Sequence, residues 1–116
     1  MVPETTSMNN SVLTEIKLAG EKQVKGWLTE NGYSNIVPEV LNTNEVCLAA
    51  TGSIENILVQ VRSFLHPHRP FKLSDFETDI LVRRAIKKKL IAYVAYVAVD
   101  ENGNLCGEIS WERLSQ

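Results

Sequence analysis

The chain has 116 residues, 44% of them hydrophobic and 22% charged, which are ordinary proportions for a single folded domain. Two cysteines are too few for a disulfide framework, and no apolar run approaches the roughly 18 residues of a membrane span. A net charge of −2 argues against a general polyanion binder, yet residues 62–89 hold eight basic side chains against three acidic ones, giving +5 there and −7 elsewhere. The first residues lack the basic start and apolar stretch of a signal peptide, so a reducing cytoplasm is the expected compartment.

Residues 1–10 are polar and aperiodic and read as a flexible tail, leaving 11–116 as one domain. A helix is predicted from Ser11 or Thr14 to Asn31. Val24, Trp27 and Leu28 form its apolar stripe, and Gly32 stands ready to end it in a left-handed turn. Three extended segments follow. Ile36–Val40 contains Pro38 and so belongs at a sheet edge. Residues 45–51 and 56–64 are joined by the turn-like Gly52-Ser53-Ile54-Glu55. In the second of these, Ile57, Val59 and Val61 alternate with Leu58, Gln60 and Arg62, a half-polar face on an apolar strand. Burying Gln60 and Arg62 there without partners would be costly.

His66-Pro67-His68-Arg69-Pro70 is a stiff loop, since neither proline suits a helix or a central strand. Ser74 and Glu77 have the spacing of a capping box, which predicts a helix from Asp75 to about Leu90. Its acids cluster at the start and Lys87, Lys88 and Lys89 at the end, as the helix dipole favours. Tyr93–Val99 and Leu105–Trp111 then read as strands, separated by a turn containing Asn102-Gly103, a strong hairpin signal. The fold class is thus α/β with a mixed sheet, in the order α-β-β-β-α-β plus a C-terminal hairpin strand.

Residue patterns extend that order. Glu21 follows Leu18-Ala19-Gly20 on the first helix, Glu45 and Cys47 lie on the second extended segment, and Gln60-Val61-Arg62 on the third. This arrangement resembles the restriction-endonuclease-like, or PD-(D/E)xK nuclease, superfamily. Residues 45–65, ending Val-Arg-Ser-Phe-Leu, look most like the cyanobacterial excision controlling factors of the fdxN element (XisH-type proteins). The resemblance implies a helix-borne glutamate, an acid on one strand and Glu-x-Lys on the next. Gln60 then falls where the family has its acid, and Arg62 where it has its lysine.

Those nuclease positions exist because magnesium needs anionic oxygen ligands beside the scissile phosphate. A glutamine carbonyl is a poorer ligand than a carboxylate, and arginine does not deprotonate. Glu21, Glu45, Gln60 and Arg62 are therefore read as a vestigial site. No metal is expected; any that bound would use Glu21 and Glu45, with magnesium as a cofactor only if the site were active. The plainest reading of Gln60 and Arg62 is a polar network with each other, Glu21 or Glu45, and of Glu21 a pair with Lys17 or Lys25. The paired His66 and His68 are read as loop, and Cys47 and Cys106 as small apolar residues.

The expected function is a non-catalytic nuclease-fold domain with an accessory role on DNA. Arg62, Arg83, Arg84, Lys87, Lys88 and Lys89 would contact phosphates. One alternative is a homodimer or protein-partner module pairing through the Tyr93–Val99 strand and its hairpin. Another is a weak magnesium-dependent nuclease using Glu21, Glu45 and the Gln60 carbonyl oxygen. No membrane partner is expected.

Overall fold

A computed structural model describes residues 2–41, 45–69 and 71–114, with the side chains of the first helix described from Val12 onward. The elements are α1 (Val2–Glu30), β1 (Ser34–Pro38), β2 (Val46–Thr51), β3 (Asn56–Leu65), α2 (Asp75–Lys88), β4 (Ile91–Val99) and β5 (Ser110–Arg113). The five strands form one sheet in sequence order, all neighbours antiparallel except the parallel pair β3 and β4, with α2 as their crossover. A parallel pair needs such a long connection, and the apolar strands on both sides of it show why two helices cover the sheet.

Helix α1 lies on one face. Its Val24 and Leu28 are buried against Leu48, Ile57, Val59, Val61 and the odd-numbered residues of β4 from Ala95 to Val99. Helix α2 covers the other face, where Leu81 and Ala85 meet Cys47, Leu58, Ala92 and Val94. Strand alternation sorts the residues between these two cores. Helix α1 comes close to the sheet at Gly20, where a Cβ would stand only 1.7 Å from the Ser63 Oγ.

Several boundaries differ from expectation. Helix α1 begins at Val2, and so takes in residues 2–10, read above as a tail. No breaker interrupts that stretch, and Pro3 stands in the first turn, where a missing N–H loses no partner. Gly32 does take a left-handed φ of +89°, and the Tyr33 N–H returns to the Leu28 carbonyl to close the helix. The capping box is formed: the Ser74 side chain accepts from the Glu77 N–H, and the Glu77 carboxylate accepts from the Ser74 N–H.

At the C-terminus, β5 starts at Ser110, five positions later than the Leu105 expected from alternation. Asp100 Oδ1 accepts the N–H groups of both Asn102 and Asn104, and Leu105 makes only an isolated bridge to Val99. Gly107, at φ +78°, then turns the chain so that Trp111 lands opposite Ala95. Strand β4 is consequently interior, bonded to β3 and β5, and the hairpin strand β5 forms that edge of the sheet.

Candidate functional site

The antiparallel register of β2 and β3 sets Cys47 against Gln60 and Val46 against Val61. Continued by one residue, that register brings Glu45 opposite Arg62. Gln60 and Arg62 both point to the α2 face, since they share parity with Leu58. They end in different surroundings. Gln60 is 2% exposed, inside the core, and its Nε2 has no hydrogen-bond partner among the described residues. Arg62 lies nearer the strand end, where β3 meets the loop leading to α2.

Three groups converge on the Arg62 guanidinium. Its Nη1 is 3.3 Å from Glu45 Oε1 and 3.4 Å from Glu77 Oε2, and its Nη2 donates to the Phe71 carbonyl at 3.0 Å. Lys17, from α1, stands 3.8 Å from the other oxygen of Glu45. A planar fork with several donors suits this tripartite arrangement, in which the residue entering β2, the loop and α2 are tied to one side chain. Beside it opens a cleft of about 250 Å³, whose lining includes Lys17, Glu45, Arg62, Ser63 and Arg69.

Glu21 does not join this group. Its carboxylate pairs with Lys25 at 2.8 Å, one turn along the same helix, which is the plain reading of that residue. Glu45 and Arg62 are therefore brought together, Gln60 lies two residues from them but sealed in the core, and Glu21 is engaged elsewhere. Glu77 was missed in the sequence because its capping role explains it locally. Nothing at a separation of fifteen residues points to a second role.

The donor set does not fit magnesium. Glu45 is already shared by two cations, Gln60 is neutral and out of reach of solvent, and the Arg62 guanidinium sits where a cation would have to bind. The Cys47 thiol opposite Gln60 is pushed up to about 12, chiefly by burial, and stays a thiol at neutral pH.

The basic run on α2 is partly paired. Arg83 pairs with Asp79 at 2.7 Å. Arg84 and Lys88 both reach Glu39, at 3.1 and 2.7 Å, and Arg84 also donates to the Val40 carbonyl. Lys87 and Lys89 carry no carboxylate partner among the described residues, nor do Arg69 and Lys72 in the preceding loop. Lys89 also closes the helix in a left-handed conformation at φ 62°.

Two of these carboxylates make acid stability predictable. The Ser74 backbone N–H above all, then the Ser74 hydroxyl and Arg62, hold the Glu77 carboxyl below its ordinary 4.5. The Lys88 ammonium, with Arg84, does the same for Glu39. A carboxylate depressed in the folded state adds stability above its unfolded value and loses it as pH falls through the folded one. Stability should therefore decline below about pH 4.5. Glu77→Gln, which can keep the capping geometry, should flatten that decline in urea titrations between pH 5 and about pH 2. An unchanged acid slope would show that Glu77 carries none of it.

No protein-family model and no curated protein matches this sequence.

Proposed function

We propose that the chain is a restriction-endonuclease-like domain whose catalytic site has become a structural ion-pair cluster, and that it acts as a DNA-binding accessory without cleaving. The observation that carries this reading is Arg62, at the position of the family's lysine, held by Glu45, Glu77 and the Phe71 carbonyl. The order α1-β1-β2-β3-α2-β4 agrees with the core the resemblance implies, with β5 as an added hairpin strand. Gln60 lies on the strand that carries the motif, facing a thiol where an acid would be needed.

Binding would rest on cations that the fold does not neutralise. Lys87 and Lys89 at the end of α2, with Arg69 and Lys72 before its start, supply the phosphate contacts. Arg62, Arg83, Arg84 and Lys88 contribute only so far as phosphate displaces their carboxylates. Contact is therefore weaker than the +5 of residues 62–89 implies. With two to four phosphates neutralised, log K should fall against log salt with a slope of roughly −2 to −4. A titration of duplex DNA from low to physiological salt checks this, and either a flat profile or no binding at low salt refutes it.

Supercoiled plasmid with magnesium or manganese should remain intact. Cleavage lost in Glu45→Ala would instead show a live site.

A further inference from the structure

The two edges of the sheet are built differently. β1 is blunted by Pro38, by a register shift between Ser34 and Val37, and by Asn35 at φ 50°. Each of these interrupts the regular row of backbone donors and acceptors that another strand would need. β5 has none of them, and among the described residues it bonds only to β4, so its outer backbone groups face solvent. Its four residues, Ser-Trp-Glu-Arg, place Trp111 and Arg113 on the α1 face and Ser110 and Glu112 on the α2 face.

A hollow flanks this edge on each face. On the α1 side, a cavity of about 270 Å³ is lined by Trp27, Tyr33, Ile57, Tyr93 and Trp111. The Tyr93 hydroxyl is already engaged by Glu55 and Arg113, which leaves that cavity aromatic and aliphatic surface to offer. On the α2 side, a hollow of about 530 Å³ is lined by Phe64, Tyr96 and Ala98 with the carboxylates of Glu108 and Glu112, against the single cation Lys72. Helix α2 leaves this end of the sheet uncovered.

We propose that β5 is a strand-addition site for an extended peptide of a partner protein, in which aromatic or aliphatic residues alternate with basic ones. Main-chain hydrogen bonds to the outer edge of β5 supply affinity. Alternation then sets every second side chain beside Trp111, the outer wall of the aromatic cavity, and the intervening ones toward Glu108 and Glu112, which supplies specificity. The excess of acid over base on the α2-side hollow selects lysine or arginine at those positions, and the aromatic walls select an apolar or flat side chain at the others. This surface shares only Lys72 with the cations proposed to meet phosphate, and the peptide test reads β5 and Glu108, so it and the DNA titration fail separately.

Short synthetic peptides test it. One alternating lysine with phenylalanine should bind the intact chain, slow hydrogen exchange at β5 amides and shift the Trp111 indole resonance. Its glutamate-phenylalanine counterpart should bind at least about tenfold more weakly. A lysine-phenylalanine peptide N-methylated at alternate amides keeps its side chains but cannot form the ladder, and it should not bind. Glu108→Lys, at an exposed position outside any ion pair among the described residues, should weaken the basic peptide selectively. Absence of binding, equal affinity for the acidic peptide, or retained binding of the N-methylated one would overturn the proposal. So would a β5-mediated dimer in sedimentation velocity, which would make the occupant a second copy.

Discussion

Gly20→Ala should destabilise the protein by about 3 kcal/mol, although glycine to alanine inside a helix normally gains up to ~1 kcal/mol. The reversal comes from the crossing of α1 over β3. A Cβ at Gly20 would lie 1.7 Å from Ser63 Oγ and 2.7 Å from Ser63 Cβ. Rotating the hydroxyl away relieves only the first contact, so the helix itself must lift from the Val61 side of the sheet. Ser63→Gly should therefore rescue Gly20→Ala in part, a coupling that a double-mutant cycle in urea measures directly. Gly26→Ala is the control, because nothing lies within 4 Å of a Cβ there, and it should be neutral or stabilising. If Gly20→Ala proves as benign as Gly26→Ala, the close crossing is not what holds α1 in place.

The second large effect lies at Gln60. Its Nε2 is buried without a partner among the described residues, a loss of about 1–3 kcal/mol relative to a satisfied group. Gln60→Met, similar in length and free of polar atoms, should raise stability by about 1 kcal/mol. Gln60→Glu should instead cost about 3–5 kcal/mol, because it places a charge in the core between Cys47 and Val94. Thermal denaturation at neutral and mildly acid pH separates the two, since the glutamate variant regains stability when protonated. A stable, fully folded Gln60→Glu at neutral pH would mean that the site is more open than it stands here.

These two residues also mark how far the sequence could be read. The capping box at Ser74 and Glu77, the Gly32 stop and the Glu21–Lys25 pair were legible because each is made within about one helical turn. The α-β-β-β-α-β order was legible because apolar alternation is also local. What could not be read depends on residues brought together by the sheet. Glu39, from a distant part of the sequence, pairs with both Arg84 and Lys88, so the basic run looked freer than it is. Glu77 holds Arg62 while capping its own helix, and a residue with one visible role gives no sign of a second. The late start of β5 follows from the Asp100 turn and Gly107, whose conformations alternation does not encode.

The candidate site was legible in its residues but not in its state. The pairing of Gln60 with Cys47 follows from register, whereas their burial follows from α2 settling over them. That helix makes the middle of β3 part of a core on both of its faces.

Trp27 and Trp111, the chain's two tryptophans, have ring centroids 4.6 Å apart with planes inclined by 43°. All indole emission therefore originates at one joint, where the end of α1 meets β5, with Tyr93 edge-on to it. An unfolding curve followed by intrinsic fluorescence reports the parting of that joint and is blind to α2 on the opposite face. Far-ultraviolet circular dichroism, which registers both helices, is the complementary probe. Any gap between the two midpoints would measure how independently the two faces of the sheet come undone.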